Sequence, residues 1–363
     1  MIQIEKKYSI KIYDSTGNNF LQTLNPKILR STPSFASQIN AGYGECRLDL
    51  ALPFADFGEG SIVDYMNIVE IYEADKNFPL GRLIYRGFIS SYEPYLEGSN
   101  QGVNIILLGM VSLLKFDFYR DGTSFQIVQT DVDTAQMMRD IIDHFSSIYG
   151  TGLITYDGSS LPNVSNSVSY TFNEDLWLDA IQNAFGTVGT GNWYWAVDSE
   201  GKFFLKSKPL TPTHVFTIGK DVQSLRILKN SEKVVNAVRV KYSTSSTYDQ
   251  EDLTSIGEYG RRGRIISDSK ITNLATAQAR ANQEIEENKV NKIQAELIIN
   301  SQYDIESVKV GDTCSVRNFQ KNSTTLDDNM LIVSVSYNSD TISIQLEQVN
   351  DNFGLELETF INS

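Results

Sequence analysis

At 363 residues the chain is too long for one average hydrophobic core, so two or three domains are expected. A hydrophobic share of 41% and an aromatic share of 11% exclude a disordered chain, and 18 Tyr with 18 Phe favour strands. The net charge of −14 argues against gripping nucleic acid by neutralising phosphates, and no apolar run approaches the roughly 18 residues of a transmembrane helix.

Residues 1–118 read as almost entirely β. Met1–Ile10 alternates apolar and polar side chains without a signal peptide's hydrophobic block, which predicts an opening strand in a chain made in the cytoplasm. Tyr8–Tyr13 and Phe20–Leu24 flank the turn-rich stretch Asp14–Asn19, a hairpin pattern. In Phe35–Leu50, Gly42 and Gly44 interrupt strand-like runs and point to a bend or bulge. The third glycine and following helix of a dinucleotide site are missing. Asn67–Tyr72, Leu83–Ile89 and Val103–Leu108 then read as three strands.

Composition shifts near residue 119. Asp133 with Gln136 has the form of a capping box. Met138, Ile141, Ile142, Phe145, Ile148 and Tyr149 follow at helical spacing, with Gly150 as a stop. A second helix is predicted with Asn173 as its cap, an apolar face of Leu176, Trp177, Ala180, Ile181 and Ala184, and an end at Gly186. Trp193–Val197 pairs with Lys202–Lys206 across Asp198–Gly201. These elements predict an α+β unit over 119–212, closed by the proline-rich Lys208–Thr213.

The chain then returns to β. Val234–Tyr242 reads as a strong strand, Ser243–Asp252 as a polar stretch, and Leu274–Asn288 as a helix with Leu274, Ala277, Ala281 and Ile285 inward. A turn at Gly311–Asp312, strands Thr313–Arg317, Leu331–Tyr337 and Thr341–Glu347, and a tight Asn338–Asp340 turn repeat the order seen at 67–108. Such self-similarity is the signature of a duplicated unit.

No residue qualifies as catalytic, cofactor-binding or metal-ligating, so neither a cofactor nor enzymatic activity is expected. His144 and His214 lie 70 residues apart and outside any HExxH phrase, with His144 read as a helix-surface residue. Asp56, Glu59, Glu174 and Asp175 are carboxylate candidates only because 45 acids always include some pair; Glu174 and Asp175 fit the first turn of a helix better. Trp177, Trp193, Tyr194 and Trp195 suit a sugar-stacking platform or, more simply, a strand face packed on a helix. Arg261, Arg262 and Arg264 form a basic cluster too short to reverse the charge balance. Cys46 and Cys314 sit in strand-like runs and are expected as buried free thiols.

Four phrases carry a family resemblance: Phe35–Leu50; Leu83–Ile89 with Gly102–Gly109; Val234–Tyr242; and Ala275–Asn288 leading to Val308–Asp312. They resemble the hub proteins of phage tails and contractile injection devices, the late-control-D family and the N-terminal half of VgrG-type spikes. The resemblance implies a mainly β fold with an α+β insertion: two tail-tube-type antiparallel β-barrels, 1–118 and 213–363, around the small domain 119–212. The helix at about 274–288 would belong to the second barrel. It further implies a structural virion protein of the tail, assembled in a bacterial cytoplasm. Three copies would form a pseudo-hexameric ring joining a six-fold tube to a three-fold tip. Expected partners are further copies of the chain, a tail tube or distal tail protein, and tip, spike or fibre proteins. DNA would pass through the lumen without specific binding, and no stable membrane insertion is expected; the net charge of −14 adds the expectation of a neutral or acidic wall, with Asp49, Asp56, Glu59 and Asp64 as candidates among which the sequence does not choose. Nothing up to Ser363 resembles a β-helical spike, lysozyme or peptidase, so wall degradation would belong to a partner. A distal or other minor tail protein, or a receptor- or carbohydrate-binding tail module, are the alternatives.

Overall fold

A computed structural model describes residues 7–53, 61–74, 78–98, 100–229, 233–290, 293–300, 303–317, 326–338 and 341–348. Met1–Lys6, Asp56, Glu59 and most of the Asn338–Asp340 turn lie outside these residues.

The first strands are β1 (Lys7–Tyr13), β2 (Phe20–Leu24), β3 (Ser34–Gln38), β4 (Ala41–Leu50), β5 (Ile68–Ala74), β6 (Arg82–Glu97) and β7 (Asn100–Gly109). Next come β8 (Gln126–Val132), α1 (Thr134–Tyr149), β9 (Val168–Asn173), α2 (Trp177–Phe185), β10 (Trp193–Val197) and β11 (Phe203–Ser207). After β12 (His214–Thr217) and β13 (Val222–Lys229) the chain forms β14 (Ala237–Tyr242), β15 (Ser246–Glu251), α3 (Leu253–Tyr259), β16 (Gly263–Asp268) and α4 (Leu274–Asn288). It ends with β17 (Ile293–Asn300), β18 (Thr313–Arg317), β19 (Leu326–Asn338) and β20 (Thr341–Gln348).

The mainly β reading with an α+β unit holds, and the repeat is written in the pairing. Lettered A to F in chain order, β1, β3, β4, β5, β6 and β7 have the spatial order B-C-F-E-D-A, as do β12, β13, β17, β18, β19 and β20. The irregularities repeat too. Strand E bulges between Ile89 and Ser91 in the first set and between Ile332 and Ser334 in the second. Met66 N donates to Ile89 O at 2.9 Å, and Gly311 N donates to Ile332 O at 2.8 Å. Both donors hold positive φ, +65° for Met66 and +84° for Gly311. One pairing differs: β1 runs antiparallel to β5, whereas β12 runs parallel to β18.

The sets expected as two barrels are joined edge to edge in one fifteen-stranded sheet, whose main path runs from β13 to β2 without closing. The cause is local. Among the described residues β18 covers only the Leu326–Leu331 end of β19, which leaves the Ser334–Tyr337 edge to β3, with Tyr337 opposite Phe35.

Asp133 caps α1 as expected, accepting from Ala135 N at 2.8 Å, while Gln136 instead donates to Asp140 at 2.7 Å. α4 has the expected bounds, with Asn273 capping Thr276 N. Other expectations are corrected. Asn173 ends β9 rather than capping α2, because the helix starts only at Trp177 and Leu176, which has no capping side chain, stands at its N-cap; the Asn173 N–H donates to the Asp175 carboxylate at 3.0 Å. The stretch 243–252 contains β15, and β14 pairs with β15 and β16 in a sheet of their own. That sheet and α4 pack on the 119–212 segment: Val238, Val240, Ala277, Ala281 and Ile285 share a buried core with Tyr170, Trp177 and Trp195. The expected bend at Gly42 has a reason, since its φ is +146° and a Cβ there would lie 2.7 Å from Val197 O, where β10 meets β4.

Candidate functional site

The strongest polar constellation surrounds His214, where β12 meets β18. Its Nε2 lies 3.0 Å from Asp312 Oδ2, its Nδ1 lies 3.0 Å from the Tyr303 hydroxyl, and its ring stacks on Phe216. An acid-oriented imidazole is half of a nucleophilic site. Its cross-strand partner Cys314 does not supply the other half, since it is fully buried and burial pushes the thiol's pKa well up. With both nitrogens engaged, the group ties the 303–312 connection to β12. His144, half-buried on α1, sits 3.3 Å from the Tyr119 hydroxyl and 3.8 Å from Asp121.

The remaining sequence candidates have structural partners. Asp175 is buried, pairs with Lys270 and accepts from Asn183 at 3.3 Å; Glu174 precedes it at φ +55°. Trp177 and Trp195 are fully buried, Trp177 against Tyr119, Phe145 and Tyr149 and Trp195 stacked on Phe203, so they form core rather than a platform. Trp193 is half-buried beside a groove of about 230 Å³ that Lys208, Lys233 and Glu287 also line. In the basic cluster, Arg261 pairs with Glu251 and Arg264 with Glu284; on the same sheet Arg239 holds Asp249 at 2.7 Å. Those carboxylates offset a phosphate-binding surface. Asp49 accepts from the Tyr95 hydroxyl at 2.7 Å, and Asp64 accepts from Tyr65 N at 2.8 Å. Among the described residues no group of three or more His, Cys, Asp and Glu side chains is placed to hold a metal ion.

The feature that sequence reading missed is the seam between the two strand sets. Phe35 on β3 contacts Tyr337 (ring centroids 4.7 Å apart), Tyr85 (5.2 Å) and Tyr43 (5.8 Å). The Tyr337 hydroxyl donates to Val308 O, and the Tyr85 hydroxyl to Gly44 O at 2.8 Å. Beside this aromatic plug, Arg82 of β6 reaches Asp304 at 2.9 Å and Glu306 at 2.8 Å, with Glu73 at 4.0 Å. Four residues along the same strand, Arg86 donates to Gly152 O at 2.7 Å and Glu200 O at 3.0 Å and faces Glu70 at 3.5 Å. One strand thus clamps the second strand set through Arg82 and the α+β unit through Arg86. No local pattern marks these arginines, because their partners lie far away in sequence.

The model of the prophage endopeptidase tail family matches residues 124–361. The chain belongs to that family. Its fold is that of phage tail proteins. The 43 kDa tail protein of prophage MuSo2 from Shewanella oneidensis aligns over 96% of this chain and 99% of its own, with 13% identity and a TM-score of 0.61. A tail protein from Neisseria meningitidis MC58 aligns over 96% and 98%, with 10% identity and a TM-score of 0.62. Prophage tail protein gp18 from Listeria monocytogenes EGD-e aligns over 98% and 100%, with 11% identity and a TM-score of 0.59. Among curated proteins, none matches the chain.

Proposed function

We propose that this chain is a structural virion protein, the central hub of a phage tail tip or baseplate, which joins a six-fold tube to a three-fold tip and lines the DNA channel. The observation that carries the reading is the repeated B-C-F-E-D-A unit. A chain holding two equivalent units presents six around a ring when three copies assemble, which is how one sequence can meet a six-fold and a three-fold neighbour. Closure of the strands into barrels belongs to that ring. Its partners would be the tail tube or distal tail protein above and tip, spike or fibre proteins below, with DNA passing unbound. The division at 1–118, 119–212 and 213–363 is proposed with one refinement, that 233–290 sides with the middle unit. Mass measurement of the assembled protein, with imaging of tail particles, tests this: three copies at the tip support it, and one copy per tail overturns it.

Two observations favour other readings. The family's description names an endopeptidase, and His214 has an acid partner; peptide release from purified cell wall that His214→Ala abolishes would establish an enzyme. Half-buried Trp193 lines a groove, and glycan binding lost in Trp193→Ala would establish a receptor module.

A further inference from the structure

The repeat leaves two strand edges over, and they complement each other. Inside the chain, strand E of the second set (β19) receives strand B of the first (β3). The equivalent strands are E of the first set, β6, and B of the second, β13. Among the described residues the Glu93–Glu97 arm of β6 has β7 as its only ladder partner, and from Ser224 to Lys229 β13 has only β17, Val222 also bridging Ile218. An unpaired edge is a template for another strand.

We propose that β13 of one copy adds to the distal arm of β6 of the next, antiparallel, as β3 adds to β19 within the chain. This rests on the hub reading and names the surface that would build its ring. The matching bulges fix the register: Ser334 corresponds to Ser91, Val335 to Tyr92, Ser336 to Glu93 and Tyr337 to Pro94. On the other side, Cys46 corresponds to Ala295 through their partners Leu107 and Leu346, so Phe35 corresponds to Ile227 and Ala36 to Leu228. The in-chain pairs Ser336–Ala36 and Tyr337–Phe35 therefore predict Glu93 opposite Leu228 and Pro94 opposite Ile227 of the neighbour. The occupant is a second copy because the chain already carries both halves of the joint, and the contact is head to tail, as a ring requires. Leu96, 62% exposed at the end of the β6 arm, would be covered by it.

Pro94 refines the picture. Counting from the hairpin pair Glu97–Asn100, alternate residues face β7, which turns Pro94 toward the free edge. It offers a carbonyl there but no N–H, so the joint between copies has one ladder bond fewer than the joint within the chain. A proline on an open edge also discourages pairing with unrelated strands.

The experiment is disulfide trapping in the full-length chain, whose own cysteines are buried. The Glu93→Cys, Leu228→Cys double variant, oxidised at high concentration or within particles, should link most chains between copies. The Ser336→Cys, Ala36→Cys variant should link within one chain, and Glu93→Cys with Ser224→Cys, four residues out of register, should stay unlinked. A trimer by mass that shows no 93–228 link, or links 93–224 instead, overturns the edge pairing while leaving the hub reading intact. A chain that stays monomeric, with one copy per tail, removes both.

Discussion

Replacing Arg82 by methionine keeps the stem's bulk and removes the charge at the seam. The side chains left behind are Glu73, 3% exposed, Glu306, 7% exposed, and Asp304, 41% exposed. Breaking a buried ion pair from one side costs about 3–5 kcal/mol, because the surviving charge stays desolvated. Asp304 is screened by water and regains solvation, which lowers the expected loss to about 2–4 kcal/mol. Arg82→Lys keeps the charge but not the reach of Nη2, the one nitrogen that meets both Asp304 and Glu306, and should cost about 1 kcal/mol. Urea unfolding followed by far-ultraviolet circular dichroism and by tryptophan fluorescence gives the measurement. The two probes separate the regions, since Trp177, Trp193 and Trp195 all lie in the α+β unit and report little on the seam. A double-mutant cycle with Glu306→Gln should return a coupling of at least about 1 kcal/mol. A loss below about 0.5 kcal/mol with no coupling would show that the clamp is an ordinary solvated pair, and the reasoning about the seam would fail.

Gly311→Ala should destabilise by about 2–4 kcal/mol, since φ is +84° and the new Cβ would lie 2.1 Å from the Tyr194 ring; Tyr194→Ala should recover part of the loss in the same unfolding assay. Cys46 and Cys314 should resist alkylation in the folded protein and react fully in denaturant, because burial raises both thiols' pKa; mass spectrometry of the labelled chain decides it. The Thr16 hydroxyl, ahead of the Asn19 and Asn18 donors, holds the Asp14 carboxyl at about 2 against an ordinary 3.8. The folded value is the lower one, so this support for the β1–β2 turn is complete above the ordinary value and is lost as pH falls through about 2. A nuclear magnetic resonance titration should show that value, and Thr16→Val should move it upward.

Features encoded by near neighbours are legible in the sequence. Asp133 capping α1, the bounds of α4 at Leu274–Asn288, and the alternation of β5, β6 and β7 all depend on neighbours within a turn or a strand. The errors have physical causes. β15 was invisible because Ser246–Glu251 exposes polar groups on both faces and shows no alternation, and α3 is only seven residues long. The start of α2 carries no capping signal in the sequence because Leu176, at its N-cap, has no side-chain acceptor. His214 gave no signal, since Asp312 and Tyr303 lie 98 and 89 residues away and only the parallel β12–β18 pairing brings them together. The seam was hidden for the same reason: Phe35 and Tyr337 each read as an ordinary strand residue, and their contact exists only after both sheets form.

The two units of the chain diverge where segments enter between their strands. Residues 110–212 separate the units, and residues 233–290 separate strands B and C of the second. A long insertion costs little in loop-closure entropy, so either could hang free. Instead they bury one core together, where Ala277 and Ala281 of α4 pack with the buried side chains of α1, β9 and α2. That joint body grips the first unit through Arg86, through the β10–β4 bridge and through Ile68 and Phe88, which share its core. It continues into the second unit through β12 and β17. The seam within the chain is therefore covalently tethered, braced by a shared core and fastened by Arg82. The proposed seam between copies has the strand edge and a proline. Such an inequality would keep each chain's pair of units permanent while contacts between chains stay exchangeable until the ring closes on itself.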